Sequence, residues 1–263
     1  MEDLIKEFKD IEEKLITNRP ELTKAEFLVE PFDPELPGIY DLFISYNNRS
    51  CRFHNVNSNS EAEFSFFWDG CKLFEIKNSL PIMSNVIYDW LISNIKPSEL
   101  EKKYNWINTG KVAGYYEKGE GVKGEFIDSW DKIEAFYKQF LNEEWHRSGE
   151  DALKLIKEMR GVGLDEQLRA GQSLWHCFLS RSRRHGLTLN APYLRITFLG
   201  NNKMVVRPYF GKGDSYFKDL ENFNVDEPEN FGFKGEDERF EFEVKYEREF
   251  EKLVKKLLKE KIE

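Results

Sequence analysis

Residues 64–76 read FSFFWDGCKLFEI, and this stretch is the strongest indication of the fold. The pair Asp69-Gly70 separates two apolar, aromatic-rich runs. A two-residue type I′ turn requires a positive φ at both of its positions, and an Asp-Gly pair tolerates this. The sequence therefore predicts a β-hairpin over residues 62–77.

A second hairpin is predicted nearer the end of the chain. The runs at 193–199 (YLRITFL) and 203–210 flank the pair Asn201-Asn202, which also suits a tight turn. Residues 239–246 alternate between apolar and charged side chains, which is typical of a strand with one buried face. We therefore predict three antiparallel strands in this region.

The remaining elements come from shorter signals. The polar stretch at 49–60, RSCRFHNVNSNS, shows no clear period and is interpreted as a loop. Apolar residues at steps of three and four predict the helices. The additional strands are predicted at 26–29 and 39–46, and the helices at 2–17, 79–95, 98–104, 128–145, 150–160, 165–185 and at the C-terminus around Phe250 to Leu258.

These elements predict an α+β fold in which antiparallel sheet parts are covered by amphipathic helices. Residues 111–125 contain six charged residues and four glycines, so they are interpreted as a loop or weak ribbon that acts as a hinge. The predicted division is an N-terminal half, 1–110, and a C-terminal half, 111–263, with one continuous domain as the alternative. The coarse order of helix, strands and helix recurs in both halves, which either a diverged duplication or a generic α+β order explains.

Composition limits the classes of function. The chain has 263 residues, 33% charged residues and a formal net charge of −9, which disfavours a general nucleic-acid binder without excluding a local basic patch. Its three cysteines form no CxxC pair, as expected in a reducing compartment. No stretch approaches the roughly 18 apolar residues of a membrane helix. We expect a soluble cytoplasmic protein that contacts no membrane, and the sequence leaves its oligomeric state open.

No catalytic, metal-binding or cofactor motif is recognisable. The chain contains no HExxH, no GxSxG and no phosphate loop that ends in GK[ST]. His176 and Cys177 are adjacent, so on the predicted helix their side chains diverge by about 100° and do not form a catalytic pair. We therefore predict no catalytic residue, no metal site and no cofactor.

One basic cluster is the exception. The segment from Asp165 to Ser215 carries eight basic and three acidic residues, although the whole chain is acidic. Three of these basic residues, together with His185, are predicted to crowd the C-terminal turn of the helix at 165–185, where cations complement the helix dipole. Three alternatives follow: pairing with the acidic run from Asp219 to Glu251 would neutralise the cluster, an exposed cluster would bind a phosphate, a carboxylate or RNA, or its charges would simply be solvated. The candidate anion-binding residues are Arg181, Arg183, Arg184, His185, Arg195, Arg207 and Lys212.

Two hypotheses of function follow. The first is a non-enzymatic protein-interaction protein, of immunity-protein or adaptor type, whose acidic surface binds a basic protein partner. The second is a nucleic-acid- or phosphate-binding protein, or an enzyme, that uses the basic cluster at 181–185.

Aromatic residues such as Phe64, Phe66 and Trp68 are interpreted as core residues rather than stacking platforms, because both faces of their strand are aromatic.

Overall fold

The computed structural model confirms the α+β class. It describes residues 2–31, 40–56, 61–139, 141, 149–173, 176–183, 191–210 and 240–262. Within these residues it contains seven α-helices and two antiparallel sheets of five strands each. The chain forms two compact units, unit 1 (Met1–Gly121) and unit 2 (Val122–Glu263). The division of the chain into separately folding domains stays a prediction.

Each unit combines helices with one sheet. Unit 1 contains helix α1 (Glu2–Asn18), a 3-10 helix (Pro20–Lys24), strands β1 (Glu26–Pro31), β2 (Tyr40–Tyr46), β3 (Arg49–Val56), β4 (Glu61–Trp68) and β5 (Cys71–Ser79), and helices α2 (Leu80–Leu91), α3 (Pro97–Lys103) and α4 (Gly110–Glu117). Helix α5 (Gly121–Gln139) begins at the boundary, and unit 2 continues with α6 (Gly149–Gly161), a 3-10 helix (Leu164–Glu166), strands β6 (Arg169–Ser173), β7 (His176–Ser180), β8 (Tyr193–Gly200), β9 (Lys203–Tyr209) and β10 (Phe240–Glu243), and helix α7 (Arg248–Leu257).

The sheet of unit 1 has its strands in sequence order, β1-β2-β3-β4-β5. The predicted hairpin is confirmed, since β4 and β5 pair antiparallel and Trp68 lies opposite Cys71. Asp69 and Gly70 adopt φ of 49° and 76°, the left-handed values that the turn requires. The predicted helix after Ser79 is also confirmed, with Ser79 as the extended N-cap residue, although it ends at Leu91.

Aromatic rings join helices and strands in the core of unit 1. Phe8 of α1 contacts Phe53 of β3 edge to face, with ring centroids 6.1 Å apart. Trp90 of α2 makes the same kind of contact with Phe74 of β5 at 5.4 Å. Such pairs contribute beyond the area that they bury. The prediction that these aromatic residues pack in a core is therefore confirmed for the strand residues Phe64 and Phe66, which are fully buried.

Arg49, at the start of β3, is buried among these rings. Its guanidinium lies 4.1 Å from the ring centre of Trp68 and 4.2 Å from that of Trp90. It also donates hydrogen bonds to the backbone carbonyls of Trp90 and Ile95, at 3.1 and 2.6 Å. Burial lowers the pKa of Arg49 to about 10. The side chain therefore remains a cation at neutral pH and ties β3 to the end of α2.

The sheet of unit 2 also has its strands in sequence order, β6-β7-β8-β9-β10. The hairpin of β8 and β9 is confirmed, and Asn201 and Asn202 adopt φ of 54° and 61° in its turn. The predicted strand at 239–246 is shorter, and α7 confirms the predicted C-terminal helix. The shared sequential strand order fits a diverged duplication and a generic α+β order equally well.

Three predictions of local structure were wrong. In place of the predicted helix at 165–185 the structure has the hairpin of β6 and β7. The sequence did not indicate a strand there, because β7 is buried on both faces and so lacks the alternation of a half-buried strand. The predicted loop at 49–60 contains β3, which continues to Val56, while residues 57–60 lie outside the described residues. The predicted loop at 111–125 is mostly helical, in α4 and the start of α5, with a short connection at 118–120, so the helix expected at 128 begins at Gly121.

Candidate functional site

The structure separates the candidate anion-binding residues. Arg184, His185 and Lys212 lie outside the described residues. Arg181 and Arg183 follow strand β7, so their predicted position in the last turn of a helix is wrong. Arg195 lies on β8 and Arg207 on β9, so both belong to strands that follow the 181–185 segment in sequence.

Arg181 and Arg183 hold the end of β7 in place. Arg181 donates hydrogen bonds to the backbone carbonyls of Gln167, at 2.9 Å, and of Glu260, at 3.2 Å. Arg183 pairs with the carboxylate of Glu125 on α5 at 2.9 Å, and that carboxylate is buried. Both guanidinium groups thus connect segments of unit 2 that are distant in sequence. These contacts give the two arginines a structural role.

Arg195 and Arg207 lie side by side on the face of the unit 2 sheet that is opposite its apolar core. The two residues lie directly opposite each other in the ladder of β8 and β9. Their sequence neighbours Leu194, Ile196 and Val206 belong to the apolar core, so the arginines occupy the opposite face because side chains alternate along a strand. Arg195 is 2% exposed and Arg207 is 7% exposed. Two guanidinium groups are therefore buried on adjacent strands.

Aromatic residues and a histidine surround this pair. Tyr193 and Tyr209 stack with their ring centroids 4.3 Å apart. His176 of β7 lies on the same face, with Nδ1 2.9 Å from the hydroxyl oxygen of Thr197. Burial, and then the charges of the two arginines, lowers the pKa of His176 to about 3. His176 is therefore neutral near pH 7 and does not deliver a proton to a ligand there. We call Arg195, Arg207, His176, Tyr193 and Tyr209 the arginine-tyrosine face.

A histidine, a serine and a glutamate also meet on the sheet of unit 1. His54 Nε2 lies 2.7 Å from Ser65 Oγ, and Ser65 Oγ donates a hydrogen bond to Glu75 at 3.0 Å. In a nucleophilic triad the histidine lies between the serine and the carboxylate, whereas here the serine lies between the other two. Ser65 is also fully buried. This arrangement therefore does not activate a nucleophile, although sequence reasoning missed it because the three residues lie on three different strands.

The carboxylates on this face of the sheet are paired with nearby lysines. Glu75 accepts a hydrogen bond from Lys72 at 2.6 Å, and this bond is the main cause that lowers the pKa of Glu75 to about 2. Glu63 pairs in turn with Lys77 at 2.9 Å. The charged side chains of this sheet face thus form a network of local pairs.

A surface groove of about 350 Å³ lies between α5 and α6 in unit 2. Its lining residues are Glu134, Lys138, Leu153, Lys157 and Arg160. Arg160 is held by Asp131 at 2.8 Å and by Glu134 at 2.9 Å, and Lys138 pairs with Glu134 at 2.6 Å. Most of the charge in the groove is therefore already paired, which gives no indication of a ligand.

The first strand of unit 1 forms an exposed acidic edge. In the described residues β1 is the outermost strand of its sheet and pairs only with β2. Glu26, Leu28, Val29 and Glu30 are exposed, with 40% exposure of Leu28 and 41% of Val29. We call residues 26–30 the β1 edge. Sequence reasoning identified a short strand here without its position in the sheet.

No family model, curated protein or solved structure matches this chain. The described part of the chain contains no group of three or more His, Cys, Asp and Glu residues that could hold a metal ion. Among the same residues, no helix is long and apolar enough to cross a membrane. Function is therefore inferred from the arginine-tyrosine face and the β1 edge.

Proposed function

We propose that this chain is a non-enzymatic protein-interaction protein, of immunity-protein or adaptor type, that binds a basic protein partner through the β1 edge. The observation that carries the proposal is the exposure of Leu28 and Val29 between two exposed glutamates on an outermost strand. Exposed apolar side chains supply contact area, and the flanking charges supply steering and choice of partner.

The place of action that we propose is the cytoplasm. All three cysteines are free thiols, and Cys51 and Cys177 are buried. Burial raises the pKa of Cys177 to about 12 and raises that of Cys51 as well, so both remain inert thiols at neutral pH. Buried free thiols are compatible with a reducing compartment.

The test compares three forms of the full chain as bait in an extract of the cells that produce it. The first is the parent protein, and the second carries Glu26→Lys and Glu30→Lys. The third carries Glu7→Lys and Glu13→Lys, which reverse two exposed charges of α1 in the same unit and so match the change of net charge. We expect the parent and the α1 variant to capture the same partner and the β1 variant to lose it.

The captured partner is then purified and its association rate is measured in rising salt. Because exposed charges are screened at high ionic strength, we expect the rate to fall about tenfold or more between about 50 mM and about 500 mM salt. Identical capture by all three forms, or a rate that is independent of salt, would contradict the proposal.

A second candidate function, anion binding, is favoured by the arginine-tyrosine face. Buried like charges on adjacent strands are stabilised by negative charge nearby, from the chain's own acidic residues or from a ligand. Arginine forks suit a phosphate or a carboxylate, and the stacked tyrosines Tyr193 and Tyr209 suit a flat group beside it. The alternative is neutralisation within the chain, as Glu125 provides for Arg183.

Ligand-induced stabilisation separates these alternatives. Thermal melts of the parent protein are recorded with inorganic phosphate and with a single-stranded RNA oligonucleotide. Arg207→Lys keeps the charge but removes the planar fork, and Arg183→Lys makes the same change at a residue that pairs with Glu125. Anion binding predicts saturable stabilisation that Arg207→Lys weakens and Arg183→Lys retains. Melts without any saturable shift assign the arginine pair to structure.

A further inference from the structure

The position of β1 at the end of its sheet bears on the conformation of the bound partner, whereas Glu26 and Glu30 bear on the partner's charge. A strand at the end of a sheet presents unpaired N–H and C=O groups along its outer side. The β1 edge lies at such an end and is exposed. The other end of the same sheet is β5, which lies against α4. A Cβ added at Gly110 of α4 would be 3.8 Å from the carbonyl oxygen of Leu73 on β5. The β1 edge therefore has the geometry for the addition of one more strand.

Side-chain alternation gives the β1 edge a defined pattern. Phe27 and Val29 lie opposite Ile44 and Leu42, two core residues of β2. Glu26, Leu28 and Glu30 lie on the other face, where Leu28 is opposite Phe43. The outer face of the edge thus places one apolar side chain between two acids, two residues away on each side.

The same pattern disfavours a second copy of this chain as the occupant. If two β1 strands paired antiparallel with Leu28 opposite Leu28, each Glu26 would lie opposite a Glu30. Like charges directly opposite each other destabilise a strand pair, whereas opposite charges stabilise it. The two glutamates therefore oppose self-association and favour a basic strand in the same place.

We infer that unit 1 binds its partner by strand addition: an extended segment of the partner, with the pattern basic–apolar–apolar–apolar–basic, pairs with the β1 edge as a sixth strand. This inference rests on the proposed protein-interaction function and adds the conformation and the sequence pattern of the bound segment. The basic residues lie opposite Glu26 and Glu30, and the central apolar residue packs beside Leu28.

Peptides test the charge pattern on the full chain. The probe has the sequence of residues 25–31 with Glu26→Lys and Glu30→Lys, and the matched control is the unchanged acidic sequence, so that only the two charges differ. Fluorescence anisotropy measures both affinities. At low ionic strength we expect the basic peptide to bind about tenfold more tightly, and we expect the ratio to approach one in about 1 M salt. Equal affinities, or no binding by either peptide, would overturn the inference.

Backbone pairing is tested separately with methylated peptides. Neighbouring N–H groups of a strand point to opposite sides, so N-methylation of alternate residues gives two versions of the basic probe that differ only in the blocked side. Strand addition predicts that one version loses binding and the other retains it. A similar affinity for both versions means that the peptide contacts side chains only and contradicts strand addition.

Variants of the chain give the reciprocal result. Of Leu28→Pro and Val29→Pro, one removes an N–H that faces outward and the other an N–H that faces β2. The form that melts like the parent protein is expected to lose the basic peptide, while Val29→Thr retains it. If the cellular partner still depends on Glu26 and Glu30 but is unaffected by that proline, strand addition is wrong and the proposed function stands.

Discussion

At the scale of single residues, the turn between β4 and β5 depends on Gly70. Its φ is 76°, where a side chain costs about 1 kcal/mol or more, whereas Gly114 lies within helix α4 in open space. Gly70→Ala is therefore expected to destabilise the protein by about 1 kcal/mol and Gly114→Ala to stabilise it by up to about 1 kcal/mol. Urea denaturation of the two variants measures both signs. Equal effects would contradict the assigned turn.

His176 gives the stability a dependence on pH. Its pKa is about 3 in the folded protein, below the value of about 6.5 of an unfolded chain, so the unfolded state takes up the proton first as the pH falls. The stability that His176 contributes is therefore complete above about pH 6.5 and declines toward pH 3. Between about pH 7 and pH 5 we expect the parent protein to lose about 2 kcal/mol more than His176→Gln does. Denaturant melts at both pH values measure the difference, and parallel losses would refute it.

At the scale of elements, the end of β7 is fixed by two arginines with different partners. Arg183 pairs with the buried carboxylate of Glu125, whereas Arg181 donates to backbone carbonyls. Removal of one partner from a largely buried ion pair leaves an uncompensated charge, so Arg183→Gln is expected to cost about 3 kcal/mol. Arg181→Gln is expected to cost about 1 kcal/mol. Chemical denaturation of both variants tests the order, and a larger cost for Arg181→Gln would reverse the assignment.

Sequence patterns predicted the elements that have one buried face or a special turn. Asp69-Gly70 and Asn201-Asn202 located two hairpins, because few residues tolerate a positive φ at both turn positions. Strand β7 was mistaken for a helix because all five of its residues are buried, with Cys177 in the apolar core and His176 on the arginine-tyrosine face. A strand covered on both faces has no alternation that a sequence could reveal.

Glycines misled the prediction in the segment that became α4 and α5. They were interpreted as signs of a loop, although Gly114 and Gly124 lie within helices. A Cβ at Gly121 would lie only 2.7 Å from the ring of Tyr116, so this glycine allows a close approach rather than a break. The reason for that glycine is a contact across a turn, which local composition does not show.

At the scale of the whole molecule, the two units have separate apolar cores. Among the described residues the cluster that contains Phe53 and the cluster that contains Ile196 share no member. Phe53→Ala is expected to cost about 3–5 kcal/mol and to raise hydrogen exchange in β2–β5 but not in β7–β9. Ile196→Ala is expected to do the reverse. Hydrogen exchange followed by mass spectrometry tests this, and a rise in both units from either variant would indicate one cooperative domain.

The candidate sites were only partly accessible to sequence reasoning. Arg195 and Arg207 were identified by their charge, but their opposition depends on a strand register that composition does not give. Arg183 pairs with Glu125, which in sequence lies outside the acidic run from Asp219 to Glu251 that one alternative paired with the cluster. The β1 edge required the strand order of the sheet, because an outermost and an inner strand look alike in a six-residue sequence.

The strand order of both sheets has a consequence during synthesis of the chain. Within each sheet, every strand after the first pairs with its predecessor in sequence, so its partner has already left the ribosome and little loop entropy opposes pairing. Strand β10 is the exception, since about thirty residues separate it from β9. Relative to a two-residue turn, closure of that interval costs about 2 kcal/mol more. The outer edge of β9 is therefore the last strand edge to be paired. A nascent chain whose synthesis stops before β10 exposes this unpaired edge to chaperones and proteases.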